Sequence, residues 1–145
     1  VLGPVVNPST VHQSKFSMGT VLALVAQFGH AGLSEFDGHF QTEVTTSFCA
    51  KVRMVVDGEV DTAYPKRWIG KVVVRTNDGR LLNGRVDEPK GDPGNTLSRD
   101  EITAKALRLA HYSGGVDAQT MTALIDRLWG VAEWDVVPHL LPQAR

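Results

Sequence analysis

His12 and Lys15 lie one helical turn apart at the entrance of an apolar helix, with Ser17 and Thr20 close behind. A helix N-terminus presents unbonded N–H groups and a partial positive charge, so a lysine and a histidine beside it would suit an anionic substrate. The alternative is that Ser14 or another polar side chain caps the helix and Lys15 is solvated; spacing alone favours that alternative. Other reactive residue types are less well placed. His30 and His39 share a glycine-rich stretch with Glu35 and Asp37, where a metal or anion site is conceivable, though solvated loop histidines are the simpler reading. None of the five histidines forms H-E-x-x-H. Ser47 and Cys49 have no histidine beside them in sequence, and Cys49 reads as a small buried apolar residue. Glu59 and Asp61 are close enough to suggest a carboxylate pair, but loop acids so spaced are usually solvated. The glycines at 29, 32 and 38 do not make G-x-G-x-x-G, and those at 91 and 94 do no better. Trp68, Trp129 and Trp134 are too scattered for a base-stacking platform and read as packing residues.

Composition narrows the partners further. The chain has 145 residues, 42% of them apolar and 21% charged, the profile of a folded chain rather than a disordered one. A net charge of −1 lacks the lysine and arginine excess that neutralises phosphates, which argues against nucleic acid and membrane surfaces. A single cysteine excludes an internal disulfide framework and any multi-cysteine zinc site. The longest apolar run, Val21 to Ala26, falls far short of the roughly 20 residues that span a bilayer. No export signal is visible, so the expected compartment is the cytoplasm. The first residue is Val1 rather than Met, which leaves a clipped start open.

The elements that must position these residues follow from periodicity and punctuation. Residues 1–10 read as a strand remnant and a loop. Gln13 to Phe28 carries Val21, Leu24, Val25 and Phe28 at helical spacing, widened by Phe16, Met18 and Leu22, which predicts a helix buried on most sides and ended by Gly29. Ser34 and Thr42 are expected to cap short helices. Arg53 to Asp57 reads as a short strand carrying Met54, Val55 and Val56, and 59–65 as a loop. Trp68 to Thr76 and Leu81 to Val86 flank Asn77-Asp78-Gly79, which predicts a β-hairpin. Ser98 and Glu101 form a capping box before a helix with Ile102, Ala106, Leu109 and Ala110 on one face. Asp117 caps a second, bearing Met121, Leu124, Ile125 and Leu128, so the two make a helical hairpin. Asp135 to Leu141 reads as a further turn of helix. Strands and helices do not alternate as βαβ units, so the fold class is α+β: a small antiparallel sheet packed against helices. With three strands, an exposed sheet edge is expected unless something pairs with it.

Several motifs, in order, resemble one family. Ser14-Lys15-Phe16-Ser17-Met18-Gly19 resembles the A-K-F-S-x-x-Y helix start of the MmgE/PrpD family. Tyr64-Pro65 and Val72-Val73-Val74-Arg75-Thr76-Asn77-Asp78-Gly79-Arg80 resemble its Y-P and V-x-V-x-T-x-D-G hairpin. Glu88 to Ser98, reading EPKGDPGNTLS, resembles its P-x-G-D-P-x-x-P-L-S signature, followed by Glu101 and Lys105 of E-[IL]-x-x-K-F. The resemblance runs from about Pro8 to Leu141.

That family includes 2-methylcitrate dehydratase, cis-aconitate decarboxylase and iminodisuccinate epimerase. The resemblance implies lyase or isomerase chemistry on small polycarboxylates, without a metal or organic cofactor, in a homodimer. It also implies a lid-like α+β domain over 1–92 and a C-terminal helical segment over 93–145 that packs on a helical domain. Removing a proton beside a carboxylate creates an enolate-like dianion, which needs a base and several cations; in the family much of that machinery lies outside the matching region. Lys15 and Ser17 match the A-K-F-S positions near the cleft, and His12 and Thr20 complete the expected substrate-binding set. Thr20 stands where the family has tyrosine, so no phenol is present there, and Ala106 replaces the usual phenylalanine. The expectation is a C-terminal region of a polycarboxylate lyase, inactive by itself. The competing reading is a non-enzymatic binding or dimerisation module derived from the lid, its helical hairpin forming a partner surface.

Overall fold

The computed structural model describes Gly3 and residues 7–140; Leu141, which closes the last expected helical turn, and most of the expected strand remnant at the start lie outside the described residues. The chain forms two compact units, Val1–Gly58 and Glu59–Arg145.

The first unit is helical. Its elements are α1 (Val11–Ser14), α2 (Met18–Phe28), α3 (Leu33–His39) and α4 (Glu43–Cys49). The helix expected from Gln13 to Phe28 is broken at 15–17. Thr10 caps α1 by accepting from the Gln13 N–H at 3.1 Å, and Ser17 starts a new helix by accepting from the Thr20 N–H at 3.2 Å. Two capping side chains one after the other divide what periodicity alone joins. Gly3 ties down the break, donating to the Phe16 carbonyl at 2.8 Å and accepting from the Met18 N–H at 3.2 Å. Gly29, at φ 77°, ends α2 as expected. The cap of α3 is Gly32 rather than Ser34, because the Glu35 carboxylate reaches back to the Gly32 N–H at 2.9 Å. Thr42 caps α4 as expected.

Burial on α2 differs from the expected all-round burial. Gly19, Thr20, Ala23 and Leu24 face inward, while Val25 and Phe28 of the expected stripe are exposed. The small residues explain it: α2 packs on α4 so closely that a Cβ on Gly19 would lie 3.3 Å from the Cys49 Cα. The close approach buries the small face and leaves the larger side chains at the margin. Ala23, Leu24, Phe36 and Cys49 form the apolar core, with Ser14, Thr20 and Thr45 buried among them. The Gln27 amide spans α2 and α4, donating to the Ala23 carbonyl and to Thr45 Oγ1 at 3.0 Å.

The second unit holds α5 (Gly58–Ala63), β1 (Gly70–Arg75), β2 (Leu81–Val86), α6 (Arg99–Ser113), α7 (Ala118–Trp129) and a 3-10 turn at Val131–Glu133. Here α5 replaces the loop expected at 59–65. The 3-10 turn lies upstream of the helical turn expected at Asp135, and 135–140 carry no helix. The hairpin is as expected: β1 and β2 pair antiparallel, Gly70 opposite Val86 and Arg75 opposite Leu81. Gly79 at φ 86° makes the turn, and its N–H donates to the Thr76 carbonyl. The third strand, Met54-Val55-Val56, does not form. Residues 52–57 belong to no strand or helix, because β-forming side chains make a strand only where a ladder partner completes it. The fold class is therefore α+β, with seven α-helices and a two-stranded sheet among the described residues.

The helical hairpin closes the unit. Ser98 accepts from the Glu101 N–H at 3.2 Å and Glu101 accepts from the Ser98 N–H at 2.7 Å, the reciprocal capping box. Gly114 at φ 63° ends α6, and Asp117 caps α7, accepting from the Thr120 N–H at 2.9 Å. Ala110 and Ile125 are buried as the two helices pack together, and the Arg99 guanidinium lies 4.9 Å from the Trp129 ring centre, joining the start of α6 to the end of α7. Ile102, Leu109 and Leu128 of the expected inner faces are exposed. No helix among the described residues is long and apolar enough to cross a membrane.

Candidate functional site

The four sequence-derived site residues are placed on one short stretch with two different exposures. His12 is exposed on α1, its ring 5.1 Å from that of Phe16 in an edge contact. Lys15 caps the C-terminus of α1 and is half-buried. Ser17 and Thr20 are fully buried. Ser17 serves as the α2 cap, and Thr20 Oγ1 lies 3.7 Å from Cys49 Sγ, a contact between α2 and α4.

The start of α2 is occupied by the chain's own acceptors: Met18 donates to the Gly3 carbonyl and Thr20 to Ser17 Oγ. The break at 15–17 also turns the last carbonyls of α1 toward Lys15, whose own N–H donates to them. What this stretch offers a ligand is therefore the two side chains on its surface, the Lys15 ammonium and the His12 imidazole. Ser17 and Thr20 hold the backbone beneath them.

His30 and His39 do not join into a metal site. His30 Nδ1 lies 3.0 Å from the Phe28 carbonyl and its Nε2 lies 3.4 Å from Glu35, while the His39 ring packs against Phe28 at 4.7 Å. Among the described residues no three histidine, cysteine or acidic side chains converge.

A charged cluster in the second unit escaped sequence reasoning. The Arg85 guanidinium grips the Glu59 carboxylate with both terminal nitrogens, at 3.0 and 2.7 Å. It also donates to Asp87 through Nε and a terminal nitrogen. Lys71 Nζ lies 2.7 Å from Glu59, and Arg67 pairs with Asp87 at 3.0 Å. Lys71 and Arg85 are partners in the hairpin register, so like charges face each other and Glu59 from α5 bridges the two. The hairpin was legible in the sequence; its register and the acid that answers it were not, because 59–65 read as a loop. The Arg85 and Lys71 hydrogen bonds hold the Glu59 carboxyl down at about 2, and Arg85 lowers Asp87 in the same way.

The pH consequence has a definite sign. Glu59 is lowered in the folded chain and ordinary in the unfolded one, so its contribution to stability is full above about pH 4.5 and is lost as pH falls toward 2. Thermal melts at neutral pH should show Glu59→Gln destabilised relative to the parent, and the difference should shrink below pH 4. Because the cluster is exposed, added salt should shrink it as well. A difference that persists unchanged at pH 2.5 would contradict this assignment.

The geometry thus defines an α+β chain in which the Lys15 and His12 side chains lie over a capped helix junction. The model of the MmgE/PrpD C-terminal domain matches residues 1–130, and the chain belongs to that family. No curated protein and no solved structure matches it.

Proposed function

We propose that this chain is the C-terminal region of an MmgE/PrpD-type lyase that acts on small polycarboxylates, in the manner of 2-methylcitrate dehydratase, in the cytoplasm and as a homo-oligomer. The observation that carries the reading is the family match over residues 1–130, joined to half-buried Lys15 on the matching A-K-F-S stretch and exposed His12 one turn before it. An elimination beside a carboxylate builds negative charge on the substrate, and a lysine at the wall of the cleft stabilises it. Lys15 is the cation that meets a substrate carboxylate; His12 stands one turn away as a second donor. Ser17 and Thr20 act indirectly, by fixing the turn from α1 into α2 that presents both. The base belongs to the helical domain, against which the 93–145 segment packs, so the chain by itself is inactive.

In a lyase that carries this region, Lys15→Ala should lower kcat/KM by about tenfold or more, and Lys15→Arg should recover part of the loss. Ser17→Ala should instead lower thermal stability, by about 1 kcal/mol, as expected for a lost cap. An unchanged kcat/KM in Lys15→Ala would remove Lys15 from the site.

The second reading, a non-enzymatic binding or dimerisation module, is favoured by a different observation: both strands of the hairpin are exposed along their whole length. A natural gene that starts just before Val1 would support that reading over the first.

A further inference from the structure

His30 stands in the turn between α2 and α3, and both of its ring nitrogens face oxygen. Nδ1 lies 3.0 Å from the Phe28 carbonyl, and Nε2 lies 3.4 Å from Glu35 Oε1. Phe28 is the last residue of α2. Its carbonyl is therefore among the four that a helix leaves without an intrahelical donor, at the negative end of the helix dipole. Glu35 sits in the first turn of α3. Its other oxygen, Oε2, accepts from the Gly32 N–H at 2.9 Å, which holds the carboxylate in place with Oε1 turned to His30.

A carbonyl and a carboxylate oxygen can only accept. A neutral imidazole has one N–H and one bare nitrogen, so in either tautomer one of the two contacts sets a lone pair against an oxygen. Only the imidazolium donates to both. The surroundings suit it, since a helix C-terminus on one side and an acid on the other both favour a positive charge. The His30 side chain is 63% exposed and exchanges protons with water directly, whereas the Glu35 side chain is 18% exposed and stays fixed while the ring changes charge. The other groups that could impose a pH dependence here are few. α2 carries no titratable side chain; α3 adds Asp37 and His39, the latter with its ring on Phe28 at 4.7 Å; α1, which packs on α3, adds His12; and α4, which packs on α2, adds Glu43 and the buried Cys49.

We propose that the α2–α3 turn is a proton-operated clasp. Charged His30 ties the end of α2 to the start of α3, and loss of its proton releases one of the two contacts. The clasp is closed near about pH 5 and open near about pH 8, the range over which an imidazole changes charge. What it secures is the first turn of α3, where the Phe36 N–H donates to the Gly32 carbonyl at 3.1 Å and the Phe36 side chain enters the core. The inference is independent of the polycarboxylate reading, since it concerns neither Lys15 nor a substrate.

The test is hydrogen exchange of the Phe36 amide in the full chain, followed by NMR and corrected for the intrinsic rate at each pH. Protection should be about threefold or more greater at pH 5.5 than at pH 8. His30→Gln should remove that difference. Glu35→Gln should remove most of it while α3 stays folded, because a glutamine oxygen still accepts from the Gly32 N–H. His39→Gln should leave it in place. Equal protection at the two pH values in the parent chain overturns the proposal. So does a difference that survives His30→Gln or Glu35→Gln undiminished, or one that His39→Gln abolishes.

Discussion

Leu24→Ala is expected to destabilise the helical unit by about 2–5 kcal/mol, the largest effect of any single truncation in it. Leu24 is the largest side chain that is fully buried. It sits on the inward face of α2 beside Ala23, where α2 packs on α4. A unit of this size has only a few kcal/mol in hand, at about 0.05–0.15 kcal/mol per residue. The variant should therefore lose most of the cooperative helical signal of Val1–Gly58 at moderate temperature, while Leu24→Met, which conserves volume, should cost less than about 1.5 kcal/mol. Urea titration followed by circular dichroism measures both. A midpoint for Leu24→Ala within error of the parent would mean that the core lies elsewhere.

Gly19→Val is the second large expectation, at about 1–3 kcal/mol of destabilisation from overpacking. A Cβ at Gly19 would stand 3.2 Å from the Cys49 Cβ and 3.3 Å from both its Cα and Sγ. The obstacle includes backbone, which cannot rotate aside. The comparison with Gly19→Ala separates packing from helix propensity. Alanine adds the same crowded Cβ but gains about 1 kcal/mol of helix preference, so its net effect should be small, whereas valine adds two further methyl groups and a poorer propensity. Equal stability of the two variants would show that α2 and α4 are not held at this distance.

These two positions also mark what the sequence could not disclose. The helical ends were legible because capping is local chemistry: Thr42, Ser98 with Glu101, Asp117 and Gly29 all serve as read. The hairpin was legible through Asp78-Gly79 and its flanking β-formers. What failed depended on a distant partner. Met54-Val55-Val56 has strand chemistry but no ladder, and α2 buries Gly19 and Ala23 rather than Val25 and Phe28 because α4 arrives on the small face. At the candidate site, the sequence placed His12, Lys15, Ser17 and Thr20 together on one helix start. It did not disclose that Ser17 begins a second helix, which turns Ser17 and Thr20 inward and leaves His12 and Lys15 outside. The Glu59–Arg85 cluster needed both the hairpin register and a helix that acidic loop-like residues concealed.

The central claim is that this region carries a cationic wall for a carboxylate-rich substrate while the proton-transferring groups come from the helical domain. The most direct measurement is turnover of 2-methylcitrate and of cis-aconitate by the purified 145-residue chain, followed by chromatography of the products. The account predicts no product above the uncatalysed level for either compound. Sustained formation of 2-methylaconitate or itaconate by this chain, abolished by Lys15→Ala, would place the whole catalytic apparatus within it and contradict the account.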